Sequence, residues 1–178
     1  MKKNTTEVLV KNAIICALYV AITLSIQPFA YGQIQFRVSE ILILLVFIEP
    51  KYFWGLTLGC AIANLFSPLG LSDVIFGTMA TVIALLGIIA TRKVMGLSGK
   101  ALLFSTISPV IANGIIIGFQ LYYMLGLPLI PSMLYVAIGE FLAVTVVGVV
   151  LFKSVIHHPK LMERIVLKNY TMSGEFIR

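Results

Sequence analysis

The sequence predicts an all-α membrane protein with six transmembrane helices, on three observations. Of its 178 residues 60% are hydrophobic and 11% charged, with a mean hydropathy of +1.04, far outside the composition of a soluble domain. Several apolar runs approach the ~20 residues that an α-helix needs to cross a bilayer. The runs lack the period-2 alternation of a transmembrane barrel, and backbone exposed to lipid must satisfy its own hydrogen bonds, which leaves helices.

Lys2, Lys3 and Lys11 precede the first apolar run, a pattern shared with secretory signals. The run from Ala13 to Ala30 is long for such a segment, so it is read as a retained helix 1, about Asn12 to Phe29, with Pro28 near its end. The apolar stretch from Phe36 to Phe66 has 31 residues. It would extend about 46 Å as one helix, too far for a single crossing. Glu49-Pro50-Lys51 interrupts it, and Pro50 disfavours helix at Glu49. A tight hairpin there separates helix 2 (Phe36 to Ile48) from helix 3 (Tyr52 to Phe66). The turn-rich segment Ser67 to Asp73 leads into helix 4, about Asp73 to Thr91. After the polar connection Arg92 to Lys100, helix 5 spans Ala101 to Tyr123. The loop Met124 to Pro131 then leads to helix 6, Ser132 to Phe152. The tail from Lys153 is basic and amphipathic. All six helices form one domain over 1–170, with a tail at 171–178.

Six crossings put both termini on one side, and the distribution of bases selects the cytoplasmic side. Lys2, Lys3, Lys11, Lys51, Arg92, Lys93, Lys100, Lys153, Lys160, Arg164, Lys168 and Arg178 then lie inside, against Arg37 alone outside. The expected location is therefore the cell membrane, multi-pass, with cytoplasmic termini. The formal charge of +6 does not indicate nucleic acid, because the bases fall in short clusters between apolar runs rather than in one stripe.

Under this topology Glu7, Glu49, Glu163 and Glu175 are cytoplasmic and beside bases, and are read as solvated surface charge. Glu40, Asp73 and Glu140 belong to the outer half. Against Arg37 they leave a formal charge of minus two, which favours a cationic ligand or one with several N–H donors. Glu140 is the most informative. It lies about 12 Å into helix 6, and a carboxylate at that depth costs at least ~2.5 kcal/mol unless it meets a cavity or partner. The alternatives are a structural ion pair with Arg37, or a protonated carboxyl bonded to a neighbouring helix. Arg37 and Glu40, three residues apart, share a helical face and pair with a ligand or with each other. Asp73, at the start of a helix, is a candidate either for the site or for an N-cap.

Asn113 and Gln120, seven apart on one face of helix 5, and Asn64 near the outer end of helix 3 add three amides, as ligand groups or as interhelical hydrogen bonds. Gln33, Gln35, Tyr31, Tyr122 and Tyr123 lie at the outer boundary, where tyrosines also anchor helices at the interface. In helix 1, Ala13, Ala17 and Ala21 form a small-residue stripe that admits a partner helix. Such a partner is needed for active transport, since Gly96-Leu-Ser-Gly-Lys100-Ala101 lacks the upstream glycine and the following Ser or Thr of a phosphate loop. No cofactor, metal site or enzyme signature is legible. His157 and His158 have no completing ligands, and Cys16 and Cys60 read as small hydrophobes within apolar runs.

Gly32-Gln-Ile-Gln-Phe-Arg-Val-Ser-Glu40, followed by Ala63-Asn-Leu-Phe-Ser-Pro-Leu-Gly-Leu-Ser-Asp-Val-Ile-Phe-Gly-Thr78, resembles the QueT family of substrate-binding subunits of energy-coupling factor (ECF) transporters. The resemblance covers most of Ala13 to Phe152. It implies a six-helix, non-enzymatic S component that captures a queuosine precursor, 7-aminomethyl-7-deazaguanine, at the outer face. It also implies an ECF transmembrane coupling subunit that docks on the Ala13, Ala17 and Ala21 stripe, two ATP-binding subunits that drive import, and toppling of the S component to release its load. The ligand's cationic aminomethyl group and guanine-like N–H edge suit a site with excess carboxylate. The expected ligand groups are Glu40, Asp73, Glu140, Arg37, Asn64, Asn113, Gln120 and Gln35. The alternatives are an S component for another vitamin or nucleobase, and a stand-alone proton-coupled exporter of small cations with Glu140 as proton carrier.

Overall fold

The computed structural model describes residues 2–26, 37–156, 158, 161 and 165, and its elements are all helical. Helix α1 (Lys2–Ser25) is followed by a 3-10 segment (Val38–Leu44) that runs into α2 (Leu45–Ile48). A 3-10 turn (Pro50–Tyr52) leads to α3 (Phe53–Asn64), α4 (Leu71–Met95), α5 (Gly99–Ser105) and α6 (Ile107–Leu125). The chain continues through α7 (Leu129–Glu140), a π-helical segment (Phe141–Gly148) and α8 (Val149–Ile156).

Among the described residues four stretches are long and apolar enough to cross a membrane: Thr5–Ser25, Leu71–Met95, Gly99–Leu125 and Leu129–Val155. The other two expected helices are present but short. The seven 3-10 residues and four α residues of Val38–Ile48 reach about 20 Å. The 12 residues of α3 reach about 18 Å, also short of a ~30 Å hydrocarbon core.

Several boundaries differ from the sequence pattern for local reasons. Helix α1 starts at Lys2 rather than Asn12, and its polar first turns carry a Glu7–Lys11 ion pair of 3.0 Å at i,i+4 spacing, an arrangement that supports helix. Its expected end at Phe29 lies outside the described residues. The hairpin is where Pro50 places it, with Glu49 extended at φ −137° and ψ 100° as the residue before proline prefers. Glu49 is not a solvated charge, however. It is 2% exposed, and its carboxylate accepts the Lys51 N–H at 3.3 Å. Next to it Tyr52 is buried and donates to the Ile165 carbonyl. Burial, together with the Glu49 and Glu7 charges, pushes its phenol well above the ordinary range, keeping the donor proton in place.

The expected helix 5 is divided at Thr106. Pro109 has no N–H to return to the Ser105 carbonyl, and the Ser105 and Thr106 hydroxyls bond the Leu102 and Leu103 carbonyls at 2.7 Å each. The expected helix 6 changes winding directly after Glu140, where the π segment begins.

Two Gly-x-x-x-Gly spacings set the closest helix approaches. Gly55 and Gly59 of α3 face α1. The Gly55 N–H donates to Asn12 Oδ1 at 2.7 Å, and a Cβ on Gly59 would lie 2.8 Å from Tyr19 Cβ. Gly114 and Gly118 of α6 face α7, where a Cβ on Gly118 would lie 2.6 Å from Met133 Cα. The main core gathers Tyr19, Ile43, Leu44, Phe47, Leu56 and Leu85 from α1, the 3-10 segment, α2, α3 and α4. Because Met133 meets Gly118 with its backbone, Gly118→Ala is expected to destabilise the bundle by about 1–3 kcal/mol, read as a lower thermal unfolding midpoint in detergent. Gly99→Ala, whose Cβ meets open space, should not lower it.

Candidate functional site

The polar groups inside the bundle follow one face of α4. Asp73, Gly77 and Thr81 recur every four residues and are all buried, so they form three levels about 6 Å apart along the axis. At the first level Asp73 is not the N-cap, which is Gly70. One Asp73 oxygen accepts the Ser67 hydroxyl and the other accepts the Gln120 amide, whose nitrogen also donates to Ser72 Oγ at 3.3 Å. Ser67 Oγ accepts the Leu69 N–H at 3.2 Å, which fixes the turn before α4.

At the second level Gly77 makes room for Asn64, since any Cβ there would collide with the Asn64 amide nitrogen. Asn64 Oδ1 accepts from Arg37 Nη2 at 3.0 Å, while its amide nitrogen donates to Cys60 Sγ at 3.3 Å. At the third level the Thr81 hydroxyl lies 3.1 Å from Cys60 Sγ and 3.5 Å from Glu40 Oε1. Tyr19 of α1 donates its hydroxyl to the same Glu40 oxygen, and Thr23, one turn on, donates to the Tyr19 carbonyl at 2.8 Å and accepts from the Ser39 hydroxyl at 2.7 Å.

Glu140 is the last residue of α7 and is buried. The π segment that follows it packs against the 3-10 segment that carries Glu40, and Glu40 and Arg37 are the charged neighbours of Glu140. Arg37 is also a charged neighbour of Glu40 and Asp73, so one guanidinium serves three carboxylates. Its closeness to Glu40 follows from the backbone: the Glu40 N–H bonds the Arg37 carbonyl at 3.0 Å, and residues three apart eclipse in a 3-10 helix.

Arg37, Glu40, Asn64, Asp73, Asn113, Gln120 and Glu140 are each no more than 4% exposed. Glu40 Oε2, Gln120 Oε1 and Glu140 Oε1 are buried without a hydrogen-bond partner among the described residues, as is Thr78 Oγ1. Buried polar atoms are paired in the great majority of cases, and three of these four are pure acceptors. Asn113 has a different environment, donating to the Pro109 carbonyl of its own helix at 3.2 Å. Gln35, Gln33 and Tyr31 lie outside the described residues. Tyr122 and Tyr123 are exposed, as are Ala13, Ala17 and Ala21.

The residues that sequence reasoning missed are Tyr19, Thr81, Ser67, Thr78 and the thiol of Cys60. Cys60 is a free, buried cysteine as expected, but its sulfur is also the common neighbour of Asn64 and Thr81. The four-residue spacing of Tyr19 and Thr23 within an apolar run was the available signal.

Fold and site together define a helical membrane protein with an acceptor-rich polar interior. A family model described as QueT transporter matches residues 9–157, and the chain belongs to the QueT transporter family. A queuosine precursor transporter of Lactococcus lactis subsp. cremoris (strain MG1363) is 42% identical over 87 residues, which are 48% of this chain and 51% of that protein. The chain thus spans about half the length of the curated relative it matches. No solved structure matches it.

Tyr19 holds Glu40 with a buried hydrogen bond to a carboxylate, so Tyr19→Phe, which keeps the ring volume, should cost about 2 kcal/mol of stability. The loss is read from thermal unfolding in detergent, and it should shrink when Glu40→Gln is already present, because partners in one hydrogen bond are not additive.

Proposed function

We propose that this protein is the membrane-embedded substrate-binding subunit of an ECF transporter. It captures a queuosine precursor, 7-aminomethyl-7-deazaguanine, at the outer face, and an ECF coupling subunit with two ATP-binding subunits drives import. In this reading the chain is a single six-helix transmembrane domain over 1–170 with both termini in the cytoplasm, and the two short helices cross together with the four long ones. The observation that carries the ligand class is the pairing of Glu40 and Glu140 in the buried interior, each with an oxygen that lacks a donor among the described residues. A cation with adjacent N–H groups supplies both the charge and the donors such a pair needs.

Arg37, held by Asn64, donates to the ring carbonyl that flanks the adjacent N–H donors of a guanine-like edge. Asn113 and Gln35 flank the ligand in this reading, with the segment before Arg37 closing over it. The exposed Ala13, Ala17 and Ala21 stripe receives the coupling subunit, since small residues let a second helix approach closely.

Calorimetry of the purified protein against 7-aminomethyl-7-deazaguanine tests the reading. Binding is expected, with Glu140→Gln weakening it by about 10–100-fold through loss of a charged hydrogen bond. Guanine, riboflavin and thiamine should fail to compete. Unchanged affinity in Glu140→Gln would take Glu140 out of the site, and uptake in vesicles without ATPase subunits would favour a proton-coupled carrier instead.

A further inference from the structure

Gln120 is 0% exposed and crosses from α6 to the start of α4. Its amide nitrogen donates to Asp73 Oδ1 and to Ser72 Oγ, which employs both N–H groups of the side chain. The reverse orientation would set the amide oxygen against a carboxylate oxygen. Gln120 Oε1 therefore faces the interior as an acceptor, without a partner among the described residues. Each oxygen of Asp73 already holds a donor, Ser67 on one and Gln120 on the other. The two residues thus differ in kind, since Asp73 is engaged on both sides whereas Gln120 has its acceptor unused.

We infer that Gln120 reads an N–H of the ligand through its amide carbonyl, and that Asp73 is the positioning residue that fixes this polarity. The inference rests on the reading of the cluster as a ligand site, and it gives that site a specificity rule. A ligand with a carbonyl or a methyl group at the contacted position leaves Gln120 facing another acceptor or an apolar group, and buried unpaired acceptors are how protein sites reject close analogues. The donor–acceptor order along the ligand edge, rather than its size, is then what Gln120 selects.

The test measures affinity for 7-aminomethyl-7-deazaguanine and three analogues, each missing one donor: no 2-amino group, a methyl on ring N1, or a methyl in place of the aminomethyl group. In wild-type protein each analogue should bind weaker, by about 10–100-fold for the donor that meets Gln120. In Gln120→Met the parent weakens by a similar factor, and one analogue, the same in repeat measurements, binds within about threefold of the parent. Asp73→Asn, near-isosteric, frees the amide to invert and should abolish the same penalty and no other. It carries the prediction by itself if Gln120→Met does not fold. Penalties that all persist in these variants would overturn the inference while leaving the proposed function intact. A penalty that vanishes in Gln120→Met but persists in Asp73→Asn would remove the positioning role of Asp73. Failure of the wild-type protein to bind the parent compound would sink the proposed function, and this inference with it.

Discussion

Inside a bundle that lipid surrounds, polar groups have only one another to satisfy, and among the described residues some buried acceptors have no donor. Glu40, Asp73 and Glu140 share the Arg37 charge, and the remaining donors come from Tyr19, Ser67, Thr81 and the Gln120 amide. Asp73 has a donor on each oxygen, whereas both donors to Glu40 go to one of its oxygens, so Glu40 is oriented without being saturated. An unmade hydrogen bond on a buried acceptor costs about 1–3 kcal/mol. Among the described residues Glu40 Oε2, Gln120 Oε1 and Glu140 Oε1 are such atoms, acceptors that a further polar partner would satisfy.

The geometry that makes this possible is irregular helix rather than loop. The 3-10 winding of Val38–Leu44 aligns Arg37 with Glu40, and the π winding of Phe141–Gly148 follows Glu140 directly. The two segments pack on each other, so the carboxylates converge where both backbones depart from ideal α geometry. Non-α backbone at membrane depth is tolerated where protein covers it. Ser39, Glu40, Ile41, Ile43 and Leu44 are all buried. A π segment inside a helix is a frequent companion of functional residues for the same reason: it re-aims side chains without breaking the chain of backbone bonds.

Much of the fold was legible because hydropathy and proline act locally. The runs around α4, α6 and α7 and the corner at Glu49-Pro50 are where composition places them. The burial of Glu49 was not legible, because whether a charge near a turn meets water depends on tertiary packing rather than on its neighbours in sequence. The site was half readable. Rare carboxylates and amides at depth single out Glu40, Asp73, Glu140 and Gln120, since the membrane makes such residues expensive. Their partners were not readable, because Tyr19, Thr81 and Cys60 are ordinary in apolar helices and become meaningful only when three helices meet. For Tyr19 the four-residue spacing to Thr23 is the local trace, and hydropathy adds nothing to it. In α1 the inward and outward faces are both apolar, so nothing in the pattern of hydrophobicity marks Tyr19 as interior.

Helix α1 has Tyr19 and Thr23 toward the polar cluster and, on nearly the opposite side, exposed Ala13, Ala17 and Ala21. Its close approach to α3 uses the glycines of α3, Gly55 and Gly59. The alanines are therefore not consumed by the fold, and a flat stripe admits another backbone at close range where larger side chains would hold it off. In the proposed assembly the coupling subunit would bear on one side of α1 while Glu40 hangs from the other through the Tyr19 hydroxyl. Displacement of α1 would change the Tyr19–Glu40 geometry, because a hydrogen bond weakens steeply with misalignment. Ligand site and docking face would then be coupled by one rigid helix and one polar contact, with no need for a longer path between them.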